Sequence, residues 1–97
     1  MSWRLSEAAD EDLVGILETG AESFGIDAAE RYVARFFPVF ELIAENPRMG
    51  RVQTGRRLTA RVLPRGSHMI VYTVEPDGDV LILRLPHQRE DWVGLFG

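Results

Sequence analysis

The sequence predicts an α+β domain: a short N-terminal strand, an antiparallel helix hairpin, and a mainly antiparallel sheet completed by a three-stranded C-terminal meander. Apolar residues recur at three- and four-residue steps through the first half. In the second half they fall in short blocks separated by proline- and glycine-bearing turns. A length of 97 residues at 45% hydrophobic content supports one core rather than two, so residues 1–97 are expected to form a single domain.

Trp3 to Leu5 reads as the opening strand. Ser6 follows as a helix N-cap, with Glu7 and Asp10 in the first turn, where the helix dipole favours negative charge. Ala9, Leu13, Ile16, Leu17, Gly20 and Phe24 form one apolar stripe, and Gly25 stands where a left-handed C-cap is expected. Asp27 and Glu30 are spaced as a capping box for a second helix. Ala29, Tyr32, Val33, Phe36, Phe37, Phe40, Ile43 and Ala44 give it a wide apolar face until Asn46-Pro47 ends it. Pro38 lies inside this helix and is expected to kink it around the sheet. The segment Pro47 to Arg57 reads as a Gly- and Arg-rich loop. Strands are expected over Leu58 to Leu63, His68 to Glu75 and Val80 to Leu85, joined by Pro64-Arg65-Gly66 and Pro76-Asp77-Gly78-Asp79. The last strand is apolar almost throughout, which places it inside the sheet beneath the helices. Leu63 to Met69 looks like a protease-site linker, but it lies between two strands and runs on into one of them, so it reads as native sequence.

Composition excludes several function classes. No cysteine is present, so there is no disulfide framework, thiolate metal site or cysteine nucleophile. Neither histidine has a second ligand at helical spacing, and no metal or cofactor is expected. No apolar run is long enough to span a bilayer and the start lacks a secretory pattern, so a cytoplasmic protein with no membrane partner is expected. The net charge of −4 argues against general coating of nucleic acid. That average hides a partition: Arg48, Arg51, Arg56, Arg57, Arg61 and Arg65 lie in a stretch without acids, while most carboxylates precede it. Every basic side chain is arginine, the residue suited to forked contacts with carboxylate or phosphate.

Specific residues recur along this order of elements: Asp12-Leu13, Phe24-Gly25, Ala28-Ala29 with Tyr32, Asn46 to Arg51, Arg61, Ser67 to Tyr72, and Ile82 to Trp92. In this collinear arrangement the chain resembles the ParE-type toxins of the RelE/ParE superfamily, the toxin half of bacterial type II toxin–antitoxin pairs. The resemblance covers nearly the whole chain. It implies a RelE/ParE-like fold and a cognate ParD-like antitoxin bound in a hetero-oligomer. It also implies DNA gyrase as the target, inhibited by trapping of the cleaved-DNA complex, with DNA met only indirectly. The RelE branch instead cuts messenger RNA on the ribosome. A third possibility is a non-toxic protein that only binds an antitoxin.

Metal-free RNA cleavage needs a group to activate the 2′-hydroxyl, cations for the phosphate and an acid for the leaving oxygen. Arg61, Arg84 and His87 are the candidates, but there is no lysine and no late tyrosine beside them; Tyr32 and Tyr72 fall on expected core positions. No catalytic residue is therefore assigned. Arg61, Arg84, His87, Arg89 and Trp92 are read as partner-binding residues. Arg61 and Arg84 are expected on adjacent strands, forming one basic spot, or else in salt bridges to the acidic helices. His87 is expected to pin the tail through Glu90, Asp91 or a backbone carbonyl. Trp92 either anchors an interface or closes the core beneath a short final helix.

Overall fold

A computed structural model describes residues 2–97. Strand β1, Trp3–Leu5, leads into helix α1, Glu7–Phe24. The Ser6 side chain accepts a hydrogen bond from the Ala9 amide, satisfying an otherwise orphan donor of the first turn. Ser6 Oγ also donates to the Leu83 carbonyl at 2.8 Å, so one side chain caps the helix and ties it to the sheet. The stripe faces inward at Ala9 and Leu13, which are buried. Phe24 does not follow it: at 78% exposure it has run past the end of the surface that α1 covers.

The chain reverses at Gly25 alone, whose φ of 88° and ψ of 157° are open to glycine without a Cβ clash. Its ψ is extended, so the expected left-handed cap is replaced by a sharper corner. Helix α2, Ile26–Ala34, begins at once, and no side chain caps it. The expected Asp27–Glu30 capping box is thus absent, because Asp27 already lies inside the first turn. The second helix is divided in two. Helix α3, Phe36–Glu45, follows a turn at Arg35. Pro38 has no N–H for the Ala34 carbonyl four residues back, and the Arg35 amide bonds Tyr32 instead. Gly20 lets the helices approach closely, since a Cβ there would lie 3.1 Å from Ala29 Cβ.

Five strands form one mixed sheet in the order β1-β5-β4-β3-β2. They are β2, Arg51–Thr54; β3, Thr59–Arg65; β4, His68–Val74; and β5, Val80–Arg84. Strand β2 replaces part of the expected Pro47–Arg57 loop. β1 runs parallel to β5, with Trp3 opposite Val80, and the other pairings are antiparallel. Pro64 belongs to β3 but lies past the last residue paired with β2, where an open edge tolerates a missing donor. Between Tyr72↔Ile82 and Val71↔Arg84 the register slips by one residue. This bulge leaves Leu83 unpaired.

Side chains alternate between the two faces of the sheet. Ile70, Tyr72, Val80 and Ile82 pack under the helices against Ala9, Leu13, Phe36, Phe40 and Ile43. Ala60, Val62, Met69 and Val71 point the other way and meet Phe96, from a 3-10 helix, Trp92–Phe96, that folds back beneath the sheet. No helix among the described residues is long and apolar enough to cross a membrane.

Candidate functional site

Two cavities flank the central strands. The first, of about 800 Å³, lies between α1, α2, the β3–β4 turn and the chain after β5. Its floor is organised by Asp12. The Asp12 carboxylate accepts from Arg84 Nε at 2.8 Å and from an Arg84 terminal nitrogen at 3.2 Å. It also accepts from the Leu85 amide at 2.8 Å. A forked pair with a third donor fixes the guanidinium plane. The bulge in β5 lies just before Arg84, as bulges do where a side chain is re-aimed.

Beside this pair, the Tyr32 hydroxyl stands 2.7 Å from His68 Nδ1 and accepts from the Ser67 amide at 2.9 Å. The His68 ring lies edge-on to His87, with centroids 5.0 Å apart, and the two residues form an isolated antiparallel bridge. Burial first, and the His87 charge second, hold the His68 imidazole below its ordinary pKa; Glu90 and Asp12 act in the opposite sense. A neutral His68 shares a hydrogen bond with the Tyr32 hydroxyl at Nδ1, its direction set by the imidazole tautomer, while that hydroxyl also reaches the Arg65 carbonyl at 3.4 Å. The Nδ1 of His87 accepts the Arg89 amide, and the His87 amide donates to Glu90 Oε1. His87 thus ties the tail through its own main chain and Glu90, and Arg89 is exposed at the rim of the cleft.

The second cavity, about 960 Å³, opens at the end of α3 against β2, β3 and β4. The Tyr72 hydroxyl donates to the Pro47 carbonyl at 2.7 Å and accepts from the Gly50 amide at 2.9 Å. Arg61 donates to the Gly50 carbonyl at 2.7 Å and to that of Arg48 at 3.3 Å. Burial pushes the Tyr72 phenol up, against the Gly50 hydrogen bond and the Arg61 charge. A side chain at Gly50 would lie 2.8 Å from the Tyr72 ring, so glycine is what lets this loop close over the phenol.

Trp92 is half-buried and packs edge-on to Phe96 beneath the sheet, with Arg51 5.6 Å above its ring. It closes the second core, the plainer of its two expected roles.

The arrangement separates the residues expected to act together. Arg61 and Arg84 are not on adjacent strands, because β4 lies between β3 and β5. Arg61 lines the second cavity and is held by backbone carbonyls, whereas Arg84 is held by Asp12, which lines the first. Their expected shared basic spot does not form. His87 is beside Arg84's partner Asp12 in the first cavity, away from Arg61. Tyr32 and Tyr72 do pack into the core as expected, but their hydroxyls organise both cavities. Asp12 stands in the sequence only among the recurring residues of the resemblance, with no role, because the arginine it binds lies 72 residues away.

The family description "ParE toxin of type II toxin-antitoxin system, parDE" matches residues 3–92. Toxin ParE1 of Mycobacterium tuberculosis, in strains CDC 1551 / Oshkosh and H37Rv, is 36% identical over 87 residues, which cover 90% of this chain and 89% of that protein. A solved structure of the chromosomal ParDE toxin–antitoxin system from P. aeruginosa superposes with a TM-score of 0.75 at 19% identity, over 90% of this chain and 95% of that one. The toxin–antitoxin complex RelBE2 from Mycobacterium tuberculosis gives a TM-score of 0.61 at 18% identity, over 90% and 96%. At these identities the two structures speak for the fold.

Proposed function

The chain belongs to the ParE toxin family of type II toxin–antitoxin systems, and from that premise we propose that it inhibits DNA gyrase by trapping the cleaved-DNA complex. In this reading it acts in the cytoplasm by binding rather than by cutting RNA. One observation carries the choice: Arg61 lines one cavity, His87 lines the other and Arg84 lines neither, so the three residues a nuclease would need together do not meet. Both guanidinium groups are already bonded within the fold. Metal-free RNA cleavage needs base, cation and acid around one phosphate, and these three residues do not converge on one.

A ParD-like antitoxin silences the toxin in the same reading. An amphipathic antitoxin segment suits the first cavity, where Ile16, Ala28 and Phe24 offer apolar surface beside Arg89 and His87. Arg89 meets the partner directly, while Arg61, Arg84 and Trp92 shape the surfaces it meets.

The test is purified gyrase with supercoiled plasmid and a molar excess of the toxin. Cleaved DNA should accumulate and supercoiling should fall, and adding the antitoxin should reverse both. Undisturbed supercoiling with no cleaved DNA would overturn the proposal. So would messenger RNA cut during growth arrest and spared in a His87→Ala variant.

A further inference from the structure

The charge partition seen in the sequence becomes a spatial one. Residues 46–74 carry +6 and no acid, against −10 for the rest of the chain. The helices, which hold most of the carboxylates, pack chiefly over β1 and β5. β2 and β3 form the opposite end of the sheet. Arg48, Arg51 and Arg56 are exposed there and form no ion pair among the described residues. β2 is an edge strand with an unpaired backbone edge, and Gln53 and Thr54 place further polar groups along it.

The geometry points to this arginine-lined edge as a contact for the phosphate backbone of duplex DNA. The inference rests on the proposed function for where a duplex is met, namely in the gyrase–DNA complex, and adds that the toxin touches the nucleic acid itself. Arg51 opens β2, and Arg56 follows its end. A four-residue strand spans roughly 13 Å, close to the width of about 12 Å of the B-DNA major groove. Arg51, exposed although its guanidinium bonds Gln53 and lies over Trp92, and Arg56 beyond the strand can therefore reach phosphates of one duplex. An acidic peptide added to the edge would instead need carboxylates opposite the strand interior, where Val52, Gln53 and Thr54 stand. The helices set most of the carboxylates over the other end of the sheet, so contact is oriented by the molecule's own dipole.

Binding of a fluorescent 20-base-pair duplex to the purified chain tests this, measured by anisotropy over a series of salt concentrations. With about three phosphates neutralised, the logarithm of affinity should fall with the logarithm of salt at a slope of about −2.7. The triple variant Arg48→Gln/Arg51→Gln/Arg56→Gln should lose at least about tenfold and flatten the slope. Arg31→Gln/Arg35→Gln, on the helices, should change neither. No measurable binding at low salt, equal losses in both variants, or a poly-glutamate peptide that binds the edge in preference to duplex would each overturn the inference. Gyrase cleavage run in parallel separates the two claims. Cleaved DNA without duplex binding sinks this inference alone, whereas duplex binding without cleaved DNA sinks the gyrase reading alone.

Discussion

Ten buried residues fill the core on the helix-covered face of the sheet and five fill the core on the other, and the two are closed by different means. Phe36, Phe40 and Ile43 project from a helix anchored at several points, with the Trp3 ring tilted against Phe40, centroids 5.0 Å apart, and its indole N–H donating to Glu41. The opposite face is closed by a five-residue 3-10 helix whose one fully buried side chain is Phe96. That helix is held by the Arg57 and Leu58 amides on the Phe96 carbonyl and by its Asp91 cap. The helix-covered face is therefore expected to carry the fold, with the tail as a latch that opens before the rest unfolds.

The sharpest way to break this comparison is to empty each core in turn. Phe40→Ala should cost about 3–5 kcal/mol in urea unfolding. Phe96→Ala should fall at or below the bottom of that range, because a short terminal segment can settle into the space it leaves. Hydrogen exchange should then speed up at Arg57 and Leu58, with Ile82 little changed. Equal costs and equal exchange would mean that the two faces fold as one unit.

A smaller loss is expected at the junction of α1 and β5. Asp12→Ala removes the forked pair with Arg84 and leaves the Leu85 amide without its acceptor, which should cost about 2 kcal/mol. Asp12→Asn, which keeps an acceptor, should cost less. Thermal melts of both variants check the order.

Acidification should act on the cavity beside the helices rather than on the latch. The folded pKa of His68 lies below the ordinary imidazole value of 6.5, so the unfolded chain binds more protons in the window just beneath that value. The stability contributed by neutral His68 is complete above 6.5 and is lost as pH falls toward the folded pKa. The melting temperature should drop between about pH 7.5 and about pH 5.5, and drop less in His68→Gln. Parallel curves for the two proteins would remove His68 from the account. The smallest effect belongs to Arg51→Ala, which takes the cation from above Trp92 and should cost about 0.5 kcal/mol. A red shift in tryptophan emission with little change in melting would place that effect in the tail.

Local features were legible in the sequence, and pairings distant along the chain were much less so. The Ser6 cap, the kink near Pro38 and the three meander strands follow from neighbouring residues. β2 escaped because Arg-Val-Gln-Thr holds a single apolar residue and, as an edge strand, needs no buried face. Phe24 kept the helical period but lies beyond the layer that the period implies. The separation of Arg61 from Arg84 follows from two successive hairpins, which set β3 and β5 on either side of β4. Arg84 was singled out, yet its partner Asp12 is 72 residues away. Nothing in the spacing of either residue announces the other. Tyr32 and Tyr72 were legible as core, but their hydroxyl partners lie on segments that only the folded chain brings near.

The parallel pairing of β1 with β5 sets a timetable for synthesis. The helices can form as they leave the ribosome, but Trp3 waits for Val80 and Ser6 for Leu83 before the sheet can close. A polypeptide released before β5 is made has neither the central pairings of its sheet nor the partner of Asp12. Chains that stop short of β5 therefore lack both of its pairings, with β1 and with β4, and the native sheet forms only once that strand has been made.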